Sequence, residues 1–180
     1  VNQAQGLENA YKVIKDTGKE FGDRFGRYYG HFEAYRMDDA ESAIVIMNSA
    51  AGTVKETVEN LRSKGEKVGV LKLRVFRPFP AKGIREALSR VKSVAVLERV
   101  FSPGSPGTPL YHEIRSALYD LTERPAVYPY VYGLGGRDFD ASHAESIFRE
   151  LKEMTEKETE QEKPLTFQHV KYINLRDKVE

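Results

Sequence analysis

Two stretches decide the fold: Ala43-Ile44-Val45-Ile46-Met47-Asn48 and Val68-Gly69-Val70-Leu71-Lys72-Leu73-Arg74-Val75. Both are apolar runs of strand length, and the first has no polar alternation. Such runs read as strands buried on both faces of a sheet. Between them, residues 53–64 place Val54, Val58 and Leu61 on one helical face. Thr53 and Glu56 form a T-x-x-E capping box, which predicts a helix start at Thr53. Lys64-Gly65-Glu66-Lys67 predicts the C-cap and turn. Strand, crossover-length helix, strand is the unit of parallel pairing.

The same alternation extends toward the C-terminus. Arg77-Pro78-Phe79-Pro80 ends the second strand, and residues 81–90 return to helix through Ile84, Ala87 and Leu88. Residues 93–98 are a third strand, followed by a Pro- and Gly-rich loop over 102–109. Thr108 is placed to N-cap a helix with Pro109 at its first position, running to about Asp120. Residues 126–132 are a fourth strand, 133–138 a loop, and 140–157 a helix burying Ala144, Ile147, Phe148, Leu151 and Met154. The expected fold is α/β, a mainly parallel sheet with helices on both faces and right-handed crossovers.

The ends are less regular. Residues 7–25 read as an amphipathic helix through Leu7, Tyr11, Ile14, Phe21 and Phe25, although Gly18 and Gly22 weaken it. Residues 28–39 are a connector with a short strand at 32–36. Residues 155–164 are a charged linker, and 167–175 are a last strand or an arm onto a partner. The division is therefore 1–40 (N-terminal helix and connector), 41–154 (α/β domain) and 155–180 (linker and arm).

Composition narrows the function. The chain has 180 residues and a net charge of +1, from 28 Lys and Arg against 27 Asp and Glu. That balance offers no general attraction to nucleic acid or anionic membrane. The absence of Cys excludes thiolate zinc sites and Cys-ligated clusters within the chain. No apolar run is long enough to span a bilayer, and nothing argues for secretion. The opening Val1, where a Met is usual, reads as a processed product or a piece of a longer one.

No catalytic set emerges from the motifs. His31, His112, His143 and His169 are too scattered to predict a metal site. Ser49 follows a strand, but there is no G-x-S-x-G elbow, and turn chemistry accounts for it. Lys72, Arg74, Arg77, Lys82 and Arg85 read as a solvated or subunit-facing surface. The loop Gly133-Leu134-Gly135-Gly136-Arg137-Asp138 lies after a strand and before a helix, where a phosphate loop belongs. However, Asp138 stands where the dinucleotide fingerprint has its third glycine. Three readings follow. The loop is a nucleotide or CoA site. Or its glycines serve positive φ while Arg137 and Asp138 pair locally or with another subunit. Or Gly133, Gly135, Gly136, Arg137, Asp138 and Arg77 are anion or interface contacts.

Several segments in fixed order carry a resemblance: Asp39-Ala40-Glu41, the stretch from Met47 to Thr53, the stretch from Gly65 to Pro80, Val94-Ala95-Val96-Leu97-Glu98-Arg99, Ser102-Pro103-Gly104, Ser116-Ala117-Leu118-Tyr119 and Tyr132 to Asp138. Together they resemble the C-terminal half of the α subunit of 2-oxoacid:ferredoxin oxidoreductases of the pyruvate synthase type. This region is called core domain II, and its fold is similar to the transketolase C-terminal domain. The resemblance covers residues 30–152. It implies a cytoplasmic enzyme using thiamine diphosphate, Mg and iron–sulfur clusters, with ferredoxin and CoA as partners. It also implies thiamine-binding and ferredoxin-like subunits beside this chain. The family's Tyr-Pro-Ile-Thr-Pro and Gly-Asp-Gly…Asn motifs are absent here, as are cluster cysteines. The resemblance thus implies a scaffold with no catalytic, cofactor-binding or metal residue of its own. A non-enzymatic interaction module is the other reading. Arg74-Val75-Phe76-Arg77-Pro78-Phe79-Pro80 is more similar to pyruvate or branched-chain members than to 2-oxoglutarate members.

Overall fold

The computed structural model describes residues 2–160 and 170–175, with the backbone alone for 157–160. In chain order the elements are α1 (Asn2–Phe25), β1 (Phe32–Tyr35), β2 (Ser42–Met47), α2 (Ala51–Ser63), β3 (Val68–Leu73), α3 (Ala81–Leu88), β4 (Ser93–Glu98), α4 (Pro109–Leu118), β5 (Ala126–Val131), α5 (Ala141–Glu160) and β6 (Lys171–Tyr172). The six strands form one sheet in the order β1-β3-β2-β4-β5-β6. β1 runs antiparallel to β3, and every other pairing is parallel.

β2 is the centre of this arrangement. It pairs with β3 on one side and β4 on the other, and Ala43, Ile44, Val45 and Ile46 have no exposed surface. Successive strand residues point to opposite faces, so one run serves two cores. Ile44 and Ile46 pack with Val54 and Val58 of α2 and with Ile147 and Leu151 of α5. Ala43 and Val45 pack with Ile84 and Leu88 of α3 and with Leu110 and Ile114 of α4. A fully buried Ile or Val contributes about 2 kcal/mol, which is why an unbroken apolar run marks a strand covered on both sides.

The helices depart from their sequence readings at the ends. α2 begins at Ala51, with Ala50 as its N-cap and no side-chain cap bond, so the expected capping box at Thr53 does not form. Asn48 takes φ 65° and turns the chain into the helix at once. Gly52 N then donates to Ser49 O at 2.9 Å and Val54 N to Ala50 O at 3.1 Å, which carries the helix past Thr53. At the other end Gly65 takes φ 88°, and Glu66 N donates to Leu61 O at 3.1 Å, the expected turn. α5 continues to Glu160, so 155–160 is helix and not linker. Residues 161–164, the rest of that linker, lie outside the described residues, as do 167–169 of the expected last strand.

α1 is the expected helix, but its apolar face is covered only in part, at Ile14 and Phe21, which are half-buried. Leu7, Tyr11 and Phe25 are exposed, whereas Gly18 and Gly22 are its buried residues. A Cβ on Gly18 would lie 1.6 Å from the Tyr29 carbonyl oxygen, and one on Gly22 would lie 2.1 Å from the Tyr28 ring. The glycines that cost helix propensity are what let the following connector fold back against the helix.

His31, on that connector, is buried and stacks on Tyr11 with centroids 4.0 Å apart. Its Nε2 has no hydrogen-bond partner among the described residues. Burial, helped by Lys15, lowers its pKa below 6.5. Below that value the unfolded chain takes up a proton that the folded chain refuses, so stability falls as pH falls. His31→Phe keeps the stack and removes the orphan nitrogen. Denaturant melts at about pH 5 and pH 7.5 should show a smaller acid loss for the variant than for the parent. Equal losses would remove His31 as the cause.

Candidate functional site at the carboxyl edge of the sheet

Because β2 to β6 run parallel, the loops that leave β2, β3, β4 and β5 gather at one edge. The chain steps from β2 outward to β3, then back across β2 to β4. The carboxyl ends of β2 and β4 therefore flank a topological switch point, where open α/β sheets bind ligands. A surface hollow of about 820 Å³ lies at the opposite edge, where Glu41 pairs with Lys67 and Lys92.

Glu98, the last residue of β4, governs this edge. Its Oε2 accepts from Leu110 N at 2.8 Å and from Tyr111 N at 3.3 Å. A helix start exposes unpaired amides that attract anions. Here a carboxylate of the chain already stands there. Thr108 holds the N-cap position with extended backbone, and Pro109 follows at the first position, as expected. The expected side-chain cap does not form: Thr108 Oγ1 is buried without a hydrogen-bond partner. Glu98 supplies the capping acceptor in its place. Burial pushes the Glu98 carboxyl above its usual range. The two α4 amides oppose the shift through their hydrogen bonds, and the nearby Thr108 hydroxyl opposes it without reaching hydrogen-bond geometry.

The glycine loop follows β5. Gly133 takes φ 66°, and a Cβ there would lie 2.7 Å from Arg99 Nε. Glycine is required twice over, by conformation and by the guanidinium beside it. Arg99 donates to the Gly133 carbonyl at 3.2 Å. Residues Leu134–Gly136 form one 3-10 turn. Arg137 Nη1 donates to Asn174 Oδ1 at 3.4 Å, and Asn174 Nδ2 donates to the Asp138 carbonyl at 3.3 Å. The loop thus rests on the segment after β6. It is not the start of α5, whose first amides are capped by Asp140, accepting from His143 N at 3.2 Å. The geometry does not provide the helix-terminus phosphate cradle of the nucleotide reading.

Arg77 lies elsewhere on the same edge. It donates to Glu113 Oε1 at 2.5 Å and covers the Phe76 ring at 4.2 Å. It follows β3, with β2 and β4 standing between β3 and β5, so it does not join the glycine loop. Ser105 Oγ lies 3.0 Å from His112 Nε2 and 3.4 Å from Gly107 N, and this pair staples the loop before α4. The Glu98 Oε2 is committed to α4 amides, so it does not complete a triad. Among the described residues no group of three or more His, Asp or Glu could hold a metal ion. Sequence reading missed Glu98, Arg99, Phe101 and Tyr172. A charged last residue on a buried strand is the one signal that pointed to Glu98.

A family model described as pyruvate:ferredoxin oxidoreductase core domain II matches residues 40–144. Pyruvate synthase subunit PorA of Thermotoga maritima is 45% identical over 148 residues, covering 82% of this chain and 38% of that protein. Ketoisovalerate oxidoreductase subunit VorA of Pyrococcus abyssi is 47% identical over 154 residues, covering 85% of this chain and 39% of that protein. The chain therefore spans well under half the length of these relatives. Two solved structures share the fold. A 2-oxoglutarate:ferredoxin oxidoreductase from Magnetococcus marinus aligns with TM-score 0.53 and 24% identity over 76% of this chain and 21% of that one. A split-gene transketolase aligns with TM-score 0.50 and 14% identity over 68% of this chain and 42% of that one. The sheet thus matches the expected transketolase-like architecture.

Glu98 makes two effects separable. Glu98→Ala strips the α4 amides of their acceptor and should cost about 1–2 kcal/mol in denaturant titration. Glu98→Gln keeps an acceptor oxygen and removes the charge. The raised folded pKa means that stability contributed below 4.5 is lost as pH rises through the folded value. The Gln variant should therefore gain on the parent as pH rises from about 4.5 to 7, and parallel profiles would contradict the burial of this charge.

Proposed function

Since the chain belongs to the pyruvate:ferredoxin oxidoreductase core domain II family, we propose that it is the non-catalytic assembly domain of a thiamine diphosphate-dependent 2-oxoacid:ferredoxin oxidoreductase. The reaction of the complete enzyme is oxidative decarboxylation of pyruvate. Pyruvate and CoA give acetyl-CoA and CO2, while two electrons pass to oxidised ferredoxin and a proton is released. Thiamine diphosphate with Mg supplies the carbanion-stabilising chemistry, and iron–sulfur clusters carry the electrons.

The residues of this chain do not fit those groups. There is no Cys for a cluster. No set of three His, Asp or Glu could hold a metal ion among the described residues. The observation that carries the reading is Glu98, which already fills the amino end of α4 beside the switch point. The chemistry then belongs to the thiamine-binding and ferredoxin-like subunits, with CoA and ferredoxin as partners of the whole complex. This domain holds them in register, and reaction rates depend steeply on that geometry.

Substrate choice also belongs elsewhere. Relatives named for pyruvate and for ketoisovalerate are 45% and 47% identical to this chain, so the domain is shared across oxoacids. A cytoplasmic site accords with clusters and ferredoxin. No helix among the described residues is long and apolar enough to cross a membrane.

The purified chain, given pyruvate, CoA, thiamine diphosphate, Mg and a viologen acceptor, should release no CO2. The complete complex should do so under the same conditions. Turnover by the chain alone would overturn the assignment. Calorimetry with NAD, NADP and CoA at millimolar concentration should show no binding to the chain, and binding of any of them would revive the nucleotide-site alternative.

A further inference from the structure

The ends of β4, β5 and β6 stand side by side at the carboxyl edge. They carry an apolar patch: Phe101 is 55% exposed and Tyr172 37%, their ring centroids are 6.2 Å apart, and Val100, next to Phe101, and Leu175, three residues after Tyr172, are also exposed. Single exposed apolar residues are ordinary, but a patch built from two separate loops is not. Two guanidiniums border it. Several arginines of the chain meet carboxylates, as Arg36 does Glu59, Arg62 Asp39, Arg74 Glu33 and Arg77 Glu113, whereas Arg27, Arg90, Arg115, Arg124 and Arg149 have no ion pair among the described residues. Arg99 and Arg137 donate only to neutral acceptors, the Gly133 carbonyl and the Asn174 amide oxygen, and have no ion pair among the described residues.

We propose that this edge docks an acidic, apolar-bearing segment of a partner subunit, with Arg99 and Arg137 receiving its carboxylates and Phe101 and Tyr172 its apolar side chain. Arginine beside aromatic rings is the composition of interface hot spots. The surface is prepared for contact. Asn174, itself at φ 54°, holds both Arg137 and the Asp138 carbonyl, so the loop is ordered before a partner arrives. Gly135 and Gly136 are exposed, and a Cβ on either would meet nothing, so a partner backbone can approach closely. A small phosphate ligand is disfavoured because the starts of α4 and α5, the helices that follow β4 and β5, are filled by Glu98 and Asp140. A second copy is disfavoured because a two-fold contact would set two arginines against two arginines. The proposal deepens the assembly role and rests on it.

The test uses the complete complex. The full chain is tagged at its own locus, the complex is isolated, and its subunits are identified by mass spectrometry. Hydrogen exchange is then compared between the complex and the free chain. Amides of residues 99–101, 133–137 and 171–174 should exchange roughly tenfold slower in the complex. The double variant Arg99→Glu, Arg137→Glu should dissociate at least about tenfold faster. The double variant Arg99→Lys, Arg137→Lys should retain most of the binding, and Arg90→Glu at the opposite edge should have no effect. If the Glu variant fails to fold, the exchange pattern and the Lys variant still decide. Unchanged exchange at this edge, in a complex that contains thiamine- or cluster-bearing subunits, overturns the docking surface and leaves the assembly role standing. Co-purification with no such subunit overturns both. Equal protection by inorganic phosphate or CoA, or a concentration-dependent dimer abolished by the Glu variant, overturns the acidic partner segment.

Discussion

A parallel strand cannot reach its neighbour by a tight turn; the chain must cross a face of the sheet to begin again. That constraint organises the protein. Each crossover brings a helix onto one face, and β2, held between β3 and β4, is covered on both. Burial on both faces explains why its central residues are Ala43, Ile44, Val45 and Ile46 with no polar residue among them. The same constraint sends all four loops after β2, β3, β4 and β5 to one edge, freeing that edge from covering the core.

That edge departs from the nucleotide sites of sheets with similar topology. The switch point between β2 and β4 is where such sheets receive phosphates, through unpaired helix amides. In this chain the amides of α4 meet Glu98, at 2.8 and 3.3 Å. A half-buried carboxylate in that place orients α4 against β4 and occupies the amino end of that helix. Its raised pKa is the cost of placing a charge there. Arg99 and Arg137, which donate to neutral acceptors, stand outside the crevice on the side where Phe101 meets Tyr172.

Much of the architecture was legible because its signals are local. The apolar runs, the crossover lengths, the Gly65 turn and Pro109 at the start of α4 each depend on a few neighbouring residues. The misreadings share a different cause. Thr53 and Glu56 spell a capping box, but Asn48 starts the turn early and strands it inside α2. Gly18 and Gly22 look like helix breakers until Tyr28 and Tyr29 fold onto them. Thr108 holds the capping position, but the acceptor arrives from Glu98, ten residues earlier in sequence. In each case the deciding partner is a contact or a backbone angle that pattern alone does not carry.

By itself the sequence determined the α/β class, the mainly parallel sheet, the family and the absence of thiolate chemistry. Those follow from periodicity, motif order and composition, which are properties of the chain as written. Only the tertiary structure decided where the candidate contacts belong. It separated Arg77 from the glycine loop, tied Arg137 and Asp138 to Asn174, and brought Phe101 beside Tyr172. The physical reason is strand order. Residues far apart in sequence become neighbours when β4, β5 and β6 align, and residues close in motif lists part when β2 and β4 come between them.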